Sequence, residues 1–308
     1  MFQSIVRAAT VVALAFVFLI GQSTQGLAQQ PQTAPTAAPP ANRAVTSPGN
    51  AEWASTAEDA REKAAAQHKL VYYEFESPRC DDCRRMQALL YPAFDFEALL
   101  TGLVPVKLAM DSADGKAVGA RYSVTEAPAV VIASPEGRLV FRMQGFKDAD
   151  DFYRHARKDL AGYREFARRI DGQHVATLSA EEAYITGRQL FARLDYAEAR
   201  PRFKRASVAP DAKPALRDSA LEGLAAAELQ LEQTAAARQT IDKLIAGTKD
   251  PEVKERAELF RAQIPLAQGK PDEALALYKR FERDHPKSKY LEQVKSFISR
   301  LETGETRK

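Results

Sequence analysis

The chain is short of cysteine, of histidine and of charge imbalance, and each shortage removes a class of function. Two cysteines in 308 residues cannot make the multi-bridge framework of a disulfide-stapled domain. Four histidines, His68, His155, His174 and His285, lie far in sequence from the cysteines and supply no four-ligand zinc set. No metal and no cofactor is therefore expected. A formal net charge of +3 gives no electrostatic case for nucleic acid or an acidic membrane surface. Lysines and arginines instead alternate with acids along helical stretches, as on solvated helix faces. There is no Gly-x-Ser-x-Gly, no phosphate-cradling glycine loop and no His-Glu-x-x-His.

Long hydrophobic runs are absent after residue 20. Before it, Arg7 precedes an apolar stretch from Ala8 to Ile20 broken only by Thr10, and Gly26-Leu27-Ala28 supplies the small residues of a cleavage site. Residues 1–28 are read as a signal peptide, making the remainder periplasmic or otherwise exported. The run is short for a bilayer span, so no stable membrane insertion is expected after its removal; an uncleaved anchor is the alternative. Residues 29–50, rich in Gln, Pro, Ala and Thr and nearly uncharged, read as a disordered linker.

The two cysteines stand as Cys80-Asp81-Asp82-Cys83. A bridge across so short a loop removes little unfolded-state entropy, so the spacing asks for a chemical reason. Around it the elements read in order. A capping box at Ser55–Glu58 opens a helix to about Gln67. Lys69 to Phe75 is β-branched and aromatic enough for a buried strand. A helix opened by the cysteines ends near Pro92. Leu103 to Met110 is a second strand, and a short helix spans Lys116 to Arg121. Ala129 to Ile132 and Leu139 to Arg142 form a hairpin about Pro135-Glu136-Gly137, and a helix from Asp148 closes the unit. A parallel βαβ unit followed by an antiparallel hairpin fits an α/β sandwich.

This order, with Cys-x-x-Cys at the first strand-to-helix junction, resembles thioredoxin. The segment from Glu74 to Cys83 is similar to the strand and motif of thioredoxin and protein disulfide isomerase domains. Trp53, the capped helix and Lys69 resemble the entry to the exported branch that includes thiol-disulfide interchange reductase domains. The resemblance runs from about Asn50 to Leu160. It implies that Cys80 is the attacking thiolate, favoured by a helix start, and that Cys83 resolves the mixed disulfide. It implies that Glu74, six residues before Cys80, takes the proton of Cys83. Pro128 falls where the family keeps a cis-proline, opening the backbone of Ala127 to an extended substrate. Ala127 and Arg79 are the candidate substrate-binding residues. Two departures stand out: Arg79 replaces the usual tryptophan, and Asp81-Asp82 replaces the usual intervening pair. The aspartates oppose a thiolate while Arg79, Arg84 and Arg85 favour it. Each exposed charge contributes roughly 1 kcal/mol or less.

Past Gly172 the chain is almost wholly helix-forming. Gly187, Leu190, Tyr196, Ala199, Phe203 and Ala206 fall at the spacing of a tetratricopeptide repeat. Ala225, Ala237, Ile241 and Leu244 make a second unit. Gly269 to Ala274, Tyr278, Phe281 and Pro286 make a third, and Tyr290 to Leu301 a closing helix. The matching alanines, Ala199, Ala237 and Ala274, are 38 and 37 residues apart, so the repeat is irregular.

The sequence thus predicts an α/β thioredoxin fold over 51–172 and an all-α tetratricopeptide-like repeat domain over 173–308. The function it points to is an exported thiol-disulfide oxidoreductase, reductase or isomerase rather than oxidase. It would act on a protein substrate or redox partner, with a second protein partner on the repeats. The competing reading is a non-catalytic envelope scaffold whose repeats bind a partner while the thioredoxin fold is passive.

Overall fold

The computed structural model describes residues 52–92, 94–145 and 147–304; the signal peptide and linker expected over 1–28 and 29–50 lie outside them. Helix α1 (Ala57–Ala66) buries Ala57, Ala60 and Ala64. Its cap is Thr56, which accepts from the Asp59 amide, one residue later than the expected box. The Asp59 carboxylate reaches past the cap to the Ser55 amide at 3.0 Å, so the reciprocal pair is displaced by one position.

Strand β1 (Leu70–Glu76), helix α2 (Asp81–Leu90), helix α3 (Phe94–Leu100) and strand β2 (Leu103–Ala109) follow. Helix α3 is an addition to the sequence reading. Helix α4 (Ala113–Tyr122) begins earlier than expected because Ser112 caps it, accepting from the Gly115 amide at 2.9 Å. Strands β3 (Ala129–Ala133) and β4 (Leu139–Gln144) lead to helix α5 (Ala149–Ile170), capped by Asp148.

The four-stranded sheet has the order β2-β1-β3-β4. β1 runs parallel to β2 and antiparallel to β3, and β3 pairs antiparallel with β4. Alternation along β1 divides the core. Val71, Tyr73 and Phe75 pack with α1 and with Tyr122 at the end of α4. Tyr72 packs on the opposite side with Met86 and Leu90 of α2 and Phe152, Tyr153 and Ala156 of α5. The Tyr153 hydroxyl donates to the Leu90 carbonyl at 2.8 Å, tying α5 to α2.

The remaining helices are α6 (Ala180–Ala192), α7 (Tyr196–Val208), α8 (Pro214–Gln230), α9 (Thr234–Gly247), α10 (Pro251–Ala267), α11 (Pro271–Asp284) and α12 (Leu291–Glu302). A repeat is visible in their turns. After α6, α8 and α10 one residue adopts a left-handed backbone: Leu194 (φ 61°), Glu232 (φ 59°) and Gly269 (φ 70°). The next amide returns to a carbonyl inside the preceding helix each time: Asp195 to Leu190, Gln233 to Glu228 and Lys270 to Pro265. Between helices, Gly187 and Gly223 leave the space that the Phe203 ring fills. A Cβ on Gly187 would meet the Phe203 ring at 3.1 Å, and one on Gly223 at 2.7 Å. The ring of Phe203 therefore lies where α6 and α8 approach closely.

The helical region is joined to the sheet by its first turn. Leu139 at the start of β4 donates its amide to the Arg193 carbonyl at 2.8 Å. Arg193 Nη1 returns a bond to the Leu139 carbonyl at 3.1 Å, and its guanidinium lies 5.2 Å from the Tyr163 ring and 4.7 Å from that of Phe166. Arg138 Nε pairs with Asp195 Oδ2 at 2.6 Å. One hydrophobic cluster runs from Tyr72 and Ile132 of the sheet through α5 to Leu190, Phe203 and Leu224. No helix among the described residues is long and apolar enough to cross a membrane.

Candidate active site

Strand β1, an inner strand, ends at Glu76, and Ser77 to Arg79 turn the chain into α2. Arg79 makes that turn with a left-handed backbone, φ 64°. Cys80 is the N-cap of α2: its sulfur accepts from the Cys83 amide at 3.0 Å. The two cysteines are joined by a disulfide. Their surroundings differ, since Cys80 is half-buried while Cys83 is 5% exposed. The unpaired amides of a helix start favour negative charge, and Cys80 is the sulfur placed to receive that benefit once reduced.

The charges beside the pair largely cancel. Arg84 pairs with Asp81, and Arg85 Nη1 lies 3.1 Å from Asp82 Oδ1. These surface pairs contribute little to stability, yet they mute the aspartates that would oppose a thiolate. Arg79 is exposed and makes no ion pair among the described residues.

Glu74 lies beneath α2 on the same face as Tyr72 and is only 1% exposed. Oε1 accepts from the Tyr91 hydroxyl at 2.7 Å and from Gln87 Nε2 at 2.7 Å, while Oε2 receives a longer contact from the Tyr72 hydroxyl at 3.4 Å. Burial raises the carboxyl above the ordinary range; the bonds from Tyr91 and Gln87, and the charge of Lys107, offset part of that rise. Lys107 sits opposite Glu74 in the parallel register. Its ammonium is 5.1 Å from the Trp53 ring centroid and 5.2 Å from that of Tyr91. Gln87, Tyr91 and Lys107 were not singled out in the sequence. Lys107 was signalled by being the lone charge in an apolar strand. Gln87 was signalled by its position one turn after Cys83.

The Ala127–Pro128 peptide is cis. Pro128 leads directly into β3, where Ala129 pairs with Phe75, so it shares with Cys80 the end of the sheet at which β1 finishes. Ala127 is half-buried and Pro128 buried. Among the described residues no group of three or more His, Cys, Asp or Glu could hold a metal ion.

The family model described as a thioredoxin-like domain matches residues 57–158. This part of the chain is a thioredoxin-like domain. Among solved structures, a thioredoxin from Thermus thermophilus is 21% identical, covering 41% of this chain and 99% of its own at a TM-score of 0.36. A structure described as DsbH oxidoreductase is 18% identical over 39% of this chain and 95% of its own, with a TM-score of 0.31. The oxidised C-terminal domain of DsbD from Neisseria meningitidis is 21% identical over 35% of this chain and 99% of its own, at 0.31. No curated protein matches. The thioredoxin-like domain therefore holds the disulfide, the buried acid and the cis-proline loop at one end of its sheet.

Proposed function

We propose that the protein is an exported thiol-disulfide oxidoreductase that acts on protein disulfides through Cys80 and Cys83. The observation that carries this reading is the asymmetric pair: a half-buried cysteine at a helix N-cap bonded to a buried one a turn further on. In the reduced protein the Cys80 thiolate attacks one sulfur of a substrate disulfide and expels the other as thiolate. Cys83 then loses its proton to Glu74 and attacks Cys80. The second substrate sulfur leaves, and the Cys80–Cys83 disulfide forms. The substrate gains two electrons and the protein loses two, so a dithiol donor must restore it.

A raised acid at Glu74 suits this role, because a carboxylate of higher proton affinity accepts more readily from a thiol. Ala127 and Arg79 are the substrate contacts of this reading: Ala127 offers backbone groups before the cis-proline, and Arg79 an unpaired cation beside Cys80. Asp81 and Asp82 pair with Arg84 and Arg85, cations that would otherwise stabilise a Cys80 thiolate. A less stabilised thiolate makes the dithiol the stronger reductant, which favours reductase or isomerase action over a strongly oxidising role. The chain divides at about 172/173 into a catalytic part and tetratricopeptide-like repeats that bind a protein partner. The basic and apolar stretch of 1–28 supports export to the periplasm.

The test is reduction of a disulfide-bonded protein by the pre-reduced full chain, with Cys80 pKa read by alkylation rate. Turnover lost in Cys80→Ser, by roughly a thousandfold or more, together with a Cys80 pKa below the free-thiol value, supports it. A slow, unshifted thiol would leave the passive scaffold as the better reading.

A further inference from the structure

The loop before the cis-proline is fastened from one side by β4. The Thr125 amide donates to Gln144 Oε1 at 2.8 Å, and the Thr125 hydroxyl to the same oxygen at 3.3 Å. Gln144 Nε2 donates to the Ser123 carbonyl at 3.3 Å. One strand position earlier on the same face, Arg142 Nη1 donates to the Tyr122 carbonyl at 2.7 Å. Beyond the loop, the Gly145 amide donates to the Pro128 carbonyl at 2.9 Å. Between these attachments, the backbone groups of Glu126 and Ala127 have no hydrogen-bond partner among the described residues.

Glu126 is exposed and Ala127 half-buried, so the backbone donors and acceptors of this stretch are open to a partner from solvent. Here it is held still on both sides, so a partner strand meets it without ordering it first. Gln144 is suited to this because its amide presents both an acceptor and a donor. It bridges a carbonyl and an amide two residues apart, which no apolar side chain of that length could do.

We propose that Gln144 is a positioning residue for substrate capture, holding the Thr125 segment so that Glu126 and Ala127 present a two-residue edge to an extended disulfide-bearing peptide. This rests on the redox reading above. The peptide adds main-chain bonds to that edge while its disulfide meets Cys80, and Gln144 itself touches neither sulfur.

The test uses the full chain, pre-reduced with a dithiol that is then removed, in single turnover against excess disulfide-bonded peptide. Hydroxyethyl disulfide, too small to use the edge, reports Cys80 reactivity. In Gln144→Met the half-saturating peptide concentration rises about fivefold, the factor expected from about one net hydrogen bond. The limiting rate and the hydroxyethyl disulfide rate stay at the wild-type value. Gln144→Glu keeps the acceptor for the Thr125 amide but loses the donor to the Ser123 carbonyl, so its half-saturating concentration falls between those of wild type and Gln144→Met. Unchanged half-saturation in Gln144→Met overturns the proposal, as does an equal fall in the hydroxyethyl disulfide rate. A wild-type protein that reduces neither disulfide overturns the redox reading, and this proposal with it.

Discussion

The thioredoxin-like domain and the helical region treat charge in different ways. In the helical region ions link one helix to another: Arg238 to Glu273, Arg256 to Glu222 at 3.1 Å, Arg261 to Asp242 at 3.3 Å. Even His285 is placed between two acids, with Nε2 at 2.7 Å from Glu258 and Nδ1 at 3.6 Å from Glu255. In the thioredoxin-like domain the most buried carboxylate, Glu74, is met by neutral donors, and its nearest cation acts at a distance through the register with Lys107. A cation beside a carboxylate favours its ionised form, whereas a phenol and an amide offset the cost of burial only in part. Burial raises Glu222 even with Arg256 beside it, and raises Glu228, which accepts from the Thr240 hydroxyl, so what separates the two regions is the ion pairing between helices rather than a fixed charge state.

The two regions nonetheless share a core, and the sharpest way to break the comparison is to remove the side chain at its centre. Phe203→Ala empties the space between Gly187 and Gly223 and should cost about 3–5 kcal/mol. Because Phe203 belongs to the same cluster as Tyr72 and Ile132, the loss should reach the sheet. Trp53 fluorescence, which reports on the thioredoxin-like domain, and far-UV circular dichroism, dominated by helices, should shift together in denaturant. A Trp53 transition that stays in place would show that the regions unfold independently.

A smaller effect sharpens the charge contrast. Burial raises the Glu74 carboxyl, so the folded state binds its proton more tightly than the unfolded chain does. Stability from this group is complete below the ordinary carboxylate range and is lost as pH rises through the raised folded value. Glu74→Gln keeps an oxygen to accept from Tyr91 and Gln87 and never ionises. Its melting temperature should therefore exceed wild type by a few degrees at neutral pH, and the gain should vanish as pH falls below the carboxylate range. A difference independent of pH would mean that Glu74 does not titrate in the folded protein.

The smallest effect is in the repeat turns. Glu232 occupies a left-handed position at φ 59° and is exposed, so Glu232→Gly should stabilise the chain by up to about 1 kcal/mol. The equivalent change at Leu194 should not help, because its side chain packs against the sheet cluster of Val71, Tyr73 and Phe75. Equal gains at both positions, read from denaturation midpoints, would remove the distinction between a free repeat turn and one docked on the thioredoxin-like domain.

Local signals made most of the α/β order legible. Runs of β-branched and aromatic residues, a proline after Leu90 and the Pro135-Glu136-Gly137 turn each act over a few residues and leave a trace in composition. Helix α3 carried no such punctuation before it apart from Pro92, and was missed. In the repeats Gly269 was readable as a turn, whereas Leu194 and Glu232 adopt the same backbone with residues that do not advertise it. There the hydrogen bond back into the preceding helix and the packing of the next one override local preference.

The sequence by itself determined where the candidate groups lie: two cysteines three apart at a strand-to-helix junction, an acid six residues before the first and a proline before the hairpin. These are short-range facts of spacing and residue chemistry. Only the tertiary structure decided what surrounds them. Burial of Glu74 beneath α2, its bonds from Gln87 and Tyr91, the reach of Gln144 to Thr125 and the docking of Arg193 on Leu139 all join residues on different elements. Proton affinity and backbone presentation are set by desolvation and by hydrogen bonds across those elements, and neither exists until the chain has closed around them.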